Sequence, residues 1–208
     1  MRPLPRLHAI TNHAALVAPE YRVRLAAIAA VGPAVALHAR DRQASDRVLI
    51  DTATRMLAHA QPPGAATFVN ARPDIAAALG AQGVQLGAGD LSPRDARKIF
   101  PNGWIGASIH SESEARRAID EGADFLVAGS IFPTGSHPDQ PAAGLELLDR
   151  VAGLGRPVIA IGGITAGRVG QVCRAGAYGV AAISALWQAR DSGAAALELL
   201  SPWMDSDD

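Results

Sequence analysis

The chain has 208 residues, of which 49% are hydrophobic and 19% charged, and these values describe a folded globular chain of one-domain length rather than a disordered one. Its 19 lysines and arginines nearly balance 20 aspartates and glutamates, which gives no electrostatic reason to expect a nucleic acid or an anionic membrane as partner. Cys173 is the only cysteine, so an intrachain disulfide is excluded and a reducing, cytoplasmic location is expected.

Short apolar runs without polar alternation recur along the chain, as in strands that are buried on both faces of a parallel sheet. In chain order they predict strands at Leu7–Thr11, Ala34–Ala39, Ala66–Asn70, Gly83–Leu86, Trp104–Ile109, Phe125–Gly129, Val158–Ile161 and Gly179–Ile183. Alanine-rich amphipathic stretches between them predict helices, among them Arg22–Val31, Asp46–Ala60, Asp74–Leu79, Pro93–Phe100 and Glu112–Gly122. This alternation favours a closed parallel barrel.

Glycines between predicted helices and strands support that topology. Gly80, Gly122 and Gly176 each follow a helix and precede a strand, where glycine ends the helix in a left-handed conformation. An open Rossmann-like or flavodoxin-like sheet would instead need a glycine-rich turn after the first strand, and residues 8–13 contain no glycine. The predicted fold is therefore a single-domain (β/α)8 TIM barrel over residues 1–208.

Two turns near the C-terminus predict a phosphate site. The seventh strand ends in Gly162 and Gly163, and the eighth ends at Ile183 and Ser184, before a short helical segment. Backbone amides at such turns, backed by helix N-termini, bind phosphate dianions, and the last two strands of a barrel are the usual place for them. The alternative is that the two glycines only permit a tight strand-to-helix turn.

Polar residues follow nearly every predicted strand, at the barrel end where active sites lie. They are Thr11, Asn12, His38, Arg40, Arg42, Asn70, Gln85, Asp90, Ser108, His110, Ser130, Thr134, Ser136 and His137. Alternation places His38, Arg40 and Arg42 on one face, in the interior or at the mouth. Arg40 is a candidate anion clamp or the ion-pair partner of Asp41 or another acidic residue of the barrel. His38 is a catalytic candidate or a core histidine, and Asp90 is a magnesium ligand or a solvated loop residue.

In their order, these segments resemble the thiamine-phosphate synthase and TenI family of (β/α)8 barrels. The resemblance runs from Leu7–Thr11 through Gly83–Gly87, Ile105–Ser111 and Ala160–Thr165 to Ala182–Ala185. It implies a small-molecule thiazole phosphate as ligand, held at the last two strand ends. Two reactions occur in the family: a magnesium-dependent joining of hydroxymethylpyrimidine pyrophosphate to the thiazole phosphate, and a metal-free aromatisation of a thiazole phosphate carboxylate by proton transfer.

The chain departs from both patterns. Where synthases carry Gln-x-Arg-x-Lys this chain has His38, Arg40 and Arg42, which is more similar to TenI, and where synthases carry Asn-Asp it has Asn70–Ala71. The synthase pattern Thr-x-Thr-Lys becomes Thr134–His137, so the lysine charge is lost. The resemblance to TenI fails in turn at Ser130, where that branch carries its acid/base histidine.

These departures lead to a predicted function of thiazole tautomerase that needs no cofactor. Its catalytic candidates are His137, Ser130, His110 and His38, with Arg40, Arg42, Asn70, Ser108, Thr134 and Ser136 binding substrate and with Gly162, Gly163, Ile183 and Ser184 binding phosphate. One alternative is a divergent thiamine-phosphate synthase with Mg²⁺ on Asp90. The other is a non-catalytic phosphate-ligand binding protein. A homodimer is the expected assembly.

Overall fold

A computed structural model describes residues 3–59, 64–135 and 141–204 of the chain. Strands and helices alternate in the order β1 (Leu7–Ile10), α1 (His13–Val17), α2 (Tyr21–Ala29), β2 (Val35–Ala39), α3 (Asp46–Leu57), β3 (Ala66–Asn70), α4 (Pro73–Leu79), β4 (Gly83–Leu86), α5 (Pro93–Ile99), β5 (Trp104–Ile109), α6 (Glu112–Asp120), β6 (Phe125–Ala128), α7 (Leu145–Val151), β7 (Val158–Ile161), α8 (Ala166–Arg174), β8 (Gly179–Ala182), α9 (Ser184–Trp187) and α10 (Ser192–Met204).

The strands close into a barrel in sequence order. Each strand pairs in parallel with the next, and β8 pairs with β1, with Leu7 opposite Val180. The predicted (β/α)8 barrel is confirmed, and each predicted strand lies within one residue of the observed one at either end. The apolar runs were informative because strands surrounded by helices are buried on both faces.

Large aromatic rings fill one layer of the barrel interior. Phe68 and Phe125 are fully buried and meet edge to face, with ring centroids 5.9 Å apart. Their volume is available because the adjacent strands carry Gly83 and Gly106, where a Cβ atom would overlap the ring of Phe68 and of Phe125, respectively. Small and large residues therefore alternate around one layer, as close packing of a barrel requires.

Two buried histidines belong to the same layer. His8 on β1 and His38 on β2 are both fully buried, with ring centroids 4.9 Å apart. The His38 ring also stacks on Phe68 at 4.9 Å. Polar side chains are uncommon in such a layer, because burial without hydrogen bonds is costly.

The helices cover the outside of the barrel and begin at identifiable caps. Ser92 accepts a hydrogen bond from the Asp95 amide, and Ser111 accepts one from the Glu114 amide. Thr165 precedes α8, but its side chain makes no cap hydrogen bond. No helix in the described ranges combines the length and apolar character needed to cross a membrane.

Candidate functional site

A cavity of about 680 Å³ opens at the carboxyl ends of the strands. Residues that follow seven of the eight strands line it, and its inner wall is apolar, with Ile10, Val127, Ile161 and Ala181. The predicted site residues that line it are Arg40, Arg42, Asn70, Asp90, Ser108, His110, Ser130, Thr134, Gly162, Gly163, Ile183 and Ser184. The structure thus brings these predicted residues together around one cavity, at the end of the barrel where active sites of this fold lie.

Of the three remaining predicted site residues, the structure describes only His38. His38 is fully buried below the cavity and does not line it, because its ring is enclosed by His8, Phe68 and Asn70. That position corresponds to the core-histidine alternative and not to a group in direct contact with a ligand. Ser136 and His137 lie outside the described residues.

The turn after β7 has a backbone that only glycine adopts comfortably. Gly162 has φ +98° and Gly163 has φ +63°, both in the left-handed region. A Cβ atom on Gly162 would lie 2.6 Å from the Ser130 Cα atom, and one on Gly163 would lie 2.7 Å from the Pro133 carbonyl oxygen. The glycines are therefore required by conformation and by the close approach of the β6 loop.

The carbonyl groups of this turn accept hydrogen bonds from the β6 loop and from α8. Gly162 O accepts a hydrogen bond from the Phe132 amide at 3.0 Å, and Gly163 O accepts one from Arg168 at 2.8 Å. In a trans peptide the N–H points opposite to the C=O, so the amides of Gly163 and Ile164 point away from these partners. Both residues line the cavity, and such an array of amides suits an anion.

Across the cavity, two arginines supply positive charge. Arg40 follows β2 and is partly buried, and its backbone amide donates to the Thr11 hydroxyl at 3.0 Å. Burial, together with the neighbouring Arg42, lowers the pKa of the Arg40 guanidinium, which remains charged at neutral pH. Within the described ranges no carboxylate approaches Arg40 to ion-pair distance, since Asp41 instead contacts His13 at 3.0 Å. The anion-clamp interpretation of Arg40 therefore fits the geometry better than the ion-pair one.

Amide and hydroxyl groups lie between the charged sides. Gln85 on β4 donates to the Ser108 hydroxyl at 3.1 Å, and both line the cavity. Asn70 lies at the end of β3, and its side-chain oxygen Oδ1 is 2.9 Å from His38 Nδ1. His110 is half exposed, and its ring lies 3.2 Å from the Glu114 carboxylate. These groups can orient a polar heterocyclic ligand without adding net charge.

A loop after β3 carries an unusual backbone conformation. Ala71 has φ +66°, which is the one left-handed non-glycine residue in the described chain. The next residue, Arg72, forms ion pairs with Asp46 and Asp74. Asp74 therefore contacts Arg72 from the first turn of α4. Neither feature has a pattern that sequence reasoning could detect, because both depend on the local turn.

The carboxylates of the cavity are few. Asp90 lines it, and one of its oxygens accepts a hydrogen bond from the Gly87 amide at 2.6 Å. Among the described residues no group of three or more histidine, cysteine or acidic side chains could enclose a metal ion. A metal here would need most of its ligands from substrate and water, which is the ordinary situation for Mg²⁺ at phosphate sites.

The fold and the site define a class: a (β/α)8 barrel with a cavity at the carboxyl ends of its strands, which a glycine turn lines on one side and arginines on the other. The chain belongs to the family described as thiamine monophosphate synthase, which matches residues 7–186. This membership confirms the resemblance found in the sequence.

Individual relatives give a consistent picture. A thiamine-phosphate synthase of Methanoculleus marisnigri is 44% identical over 178 residues, with 84% of each chain covered. One of Thermus thermophilus is 43% identical over 167 residues, covering 79% of this chain and 80% of the relative. A solved thiamine phosphate pyrophosphorylase from Pyrococcus furiosus has a TM-score of 0.84 at 35% identity, and 98% and 97% of the two chains are covered.

These relatives correct the predicted reaction. The prediction of a TenI-like tautomerase is wrong, because relatives at 37% to 44% identity over most of the chain are named for the synthase. The error came from weighing a missing aspartate at Ala71 and a missing loop lysine above the similarity of the rest of the chain. His38 also favoured the wrong reaction, because its similarity to TenI was counted as evidence for catalysis, whereas it is a core residue here.

Proposed function

We propose that the protein is a thiamine-phosphate synthase, a transferase that joins hydroxymethylpyrimidine pyrophosphate to thiazole phosphate and releases pyrophosphate. The observation that carries the proposal is the pairing of two anion sites across one cavity: the glycine turn after β7 and the arginines after β2. A tautomerase has one phosphate and one carboxylate to hold, whereas the synthase must hold a phosphate and the more highly charged pyrophosphate at once, and two neighbouring arginines suit the more highly charged group. The names of the relatives support the same reaction.

The glycine turn and the Ile183–Ser184 segment would hold the thiazole phosphate. The carbonyls of Gly162 and Gly163 are already hydrogen-bonded within the protein, so amides rather than carbonyls are left for the ligand. An anion held by amides is fixed in position without a mobile side chain, which lowers the entropy lost on binding.

Arg40 and Arg42 would bind the pyrophosphate. Negative charge accumulates on this leaving group as its bond to carbon breaks and the carbon–nitrogen bond to the thiazole forms. Guanidinium groups that already stand at the cavity wall stabilise that charge without reorganisation during the reaction. The apolar wall at Ile10 and Val127 would exclude water beneath the reacting carbon.

Mg²⁺ is the cofactor that this reaction takes, and the donor set fits a substrate-bound ion. Asp90 would hold it through a carboxylate whose position is fixed by the Gly87 amide at 2.6 Å. When bound, the metal would neutralise charge on the pyrophosphate. Asp46 also lines the cavity, but its carboxylate is engaged by Arg72.

The test is direct synthesis. Purified protein is mixed with hydroxymethylpyrimidine pyrophosphate, thiazole phosphate and Mg²⁺, and thiamine phosphate and released pyrophosphate are quantified together. We expect equimolar formation of both products. A folded protein that binds both substrates but forms no thiamine phosphate would contradict the proposal and leave the non-catalytic reading.

Asp90→Asn tests the metal assignment. The variant keeps the size of the side chain but loses its charge, so we expect the Mg²⁺ concentration for half-maximal rate to rise about 10-fold or more. Asp95→Asn on the exposed start of α5 is the matched control. An unchanged Mg²⁺ requirement in Asp90→Asn would remove this residue from the metal site.

A further inference from the structure

The buried histidine pair lies directly beneath a residue of the cavity wall. His8 Nδ1 is 2.8 Å from His38 Nε2, and His38 Nδ1 is 2.9 Å from the Asn70 side-chain oxygen Oδ1. At the other end of this series of hydrogen bonds, His8 Nε2 lies 3.1 Å from the Pro5 carbonyl oxygen. One continuous line of hydrogen bonds thus joins a backbone carbonyl at the bottom of the barrel to Asn70 at the cavity.

The protons along this line can be counted from its fixed end. A carbonyl oxygen only accepts, so His8 must carry its proton on Nε2. In a neutral imidazole the other nitrogen is then an acceptor, and His38 must donate to it from Nε2. The Nδ1 atom of His38 is in turn left as an acceptor that faces Asn70.

The neutral pair therefore requires the Asn70 amide nitrogen toward His38, the reverse of the placement in which Oδ1 faces His38 Nδ1. The oxygen and nitrogen ends of an amide have the same outline, so the hydrogen-bond network assigns them. The opposite orientation, with the carbonyl oxygen against His38 Nδ1, places two acceptors together unless the pair carries a second proton. Asn70 lines the cavity, so the end of the amide that does not face His38 lies on the ligand side. The protonation state of the pair thus decides whether the cavity meets a donor or an acceptor at this point.

The surroundings favour the neutral pair. Both rings are fully buried, and the rings of Phe68 and Phe125 pack against them. Within the described ranges no carboxylate lies at ion-pair distance from either histidine, and the nearby charged group is the cation of Arg40. Burial lowers the pKa of His8 well below its usual value and that of His38 to about 4.

We propose that His8 and His38 are positioning residues which, as a neutral pair, hold the Asn70 amide with its carbonyl oxygen toward the cavity. The site then presents a hydrogen-bond acceptor there and selects a ligand with an N–H or O–H donor at the matching position. Neither histidine touches the ligand. Both act by removing the rotational freedom that an asparagine amide otherwise has.

The first arm of the test needs no substrate and is independent of the proposed function. Long-range ¹H–¹⁵N spectra of the imidazoles are recorded on the uniformly ¹⁵N-labelled full chain at pH 7.5, with His8→Gln and His38→Gln used for assignment. We expect both rings to be neutral with the proton on Nε2, and the Asn70 side-chain amide to be protected from exchange. A proton on His38 Nδ1 would overturn the proposal.

The second arm rests on the proposed synthase activity and compares two variants of similar size. Glutamine at position 38 can donate to His8 and accept from Asn70, whereas methionine can do neither. We expect His38→Gln to keep KM for hydroxymethylpyrimidine pyrophosphate within about twofold, and His38→Met to raise it about 10-fold with kcat little changed. Equal effects of both variants, or none from His38→Met, would overturn the proposal.

The two arms separate two kinds of failure. If the wild-type chain makes no thiamine phosphate, the proposed function fails while the spectra still report the tautomers. If the chain is active but His38 carries its proton on Nδ1, the positioning proposal alone fails. Should His38→Met not fold, the spectra of the wild-type chain decide the question.

Discussion

The two sides of the cavity differ in whether the backbone or the side chains determine their geometry. On the β7 side the geometry resides in the backbone, with Gly162 and Gly163 at positive φ and packed against the β6 loop. On the β2–β4 side it resides in side chains, namely Arg40, Arg42, Asn70 and Asp90. In the sequence comparison, the glycine turn matches the pattern of the family, whereas the side-chain positions 38 and 71 depart from it.

The two sides differ in their match to the family pattern because backbone sites and side-chain sites tolerate substitution differently. A backbone site accepts one residue type, because any Cβ atom there meets protein atoms at less than normal contact distance. A side-chain site can exchange one charged group for another and keep its overall sign, as the arginines here illustrate. Sites of the first kind therefore identify a ligand class, whereas sites of the second kind are poor guides to the reaction.

Gly162→Ala is expected to have the largest effect. Its Cβ atom would lie 2.6 Å from Ser130 at a φ of +98°, so we expect a loss of about 3 kcal/mol in unfolding free energy and a fall of about 100-fold in kcat/KM. Urea unfolding and initial rates measure these quantities. Gly167→Ala in α8 is the control, because nothing lies within 4 Å of its Cβ position. Similar losses in both variants would show that the turn has no special role.

Lowering the pH is expected to reduce the unfolding free energy of the protein through its buried histidines. Unfolded His38 has an ordinary pKa near 6.5 and the folded one about 4, so between these values the unfolded chain binds more protons and stability falls as pH decreases. We expect a loss of about 2 kcal/mol at pH 5 relative to pH 7.5 from His38, with His8 acting in the same direction. Urea unfolding of His38→Gln should show a loss smaller by that amount. Parallel profiles would exclude a neutral buried His38.

Arg40→Met should separate the two anion sites. Removing a charge-assisted hydrogen-bond donor costs about 1.5–3 kcal/mol, which corresponds to about 10–100-fold in kcat/KM for the pyrophosphate substrate. KM for thiazole phosphate should remain within about twofold, because that ligand is assigned to the opposite side. Arg116→Met on α6, where Glu112 is the ion-pair partner, is the control. Equal losses for both substrates would mean that the two sides are not separate sites.

The smallest effect is expected at the β3 loop. Ala71 adopts φ +66°, which disfavours any residue with a Cβ atom by about 1 kcal/mol, so Ala71→Gly should stabilise the chain by roughly that amount. Gly80→Ala is the mirror experiment, since Gly80 has φ +68° with open space at its Cβ position. Urea unfolding should show changes of opposite sign. Destabilisation by Ala71→Gly would mean that the Ala71 methyl group makes a stabilising contact.

Much of the fold could be predicted because its signals are local. A strand such as Val158–Ile161 is apolar throughout, and Gly80 ends its helix through a conformation that the residue type itself favours. The residues at the cavity could be predicted for a related reason: parallel strands all end at the same face of the barrel. Arg40 was located by alternation along one strand.

The remaining features depend on contacts between distant segments. His8 was not singled out, because its partner His38 lies 30 residues away and meets it only through the pairing of β1 with β2. The conformation of Ala71 has no signature in an alanine. The reaction was misjudged because single missing side chains, an aspartate at position 71 and a loop lysine, were weighed above the similarity of the whole chain to the synthases.

The aromatic layer has a consequence for redesign. Phe125 shares one volume with Gly106, and Phe68 shares another with Gly83, so each pair behaves as a single volume divided between neighbouring strands. Replacing either glycine by a larger residue requires a smaller residue in place of its phenylalanine partner. Replacing either phenylalanine by a smaller residue adds space beneath the cavity without changing a residue that lines it. Phe125→Leu is therefore the natural first step toward accommodating a bulkier heterocycle.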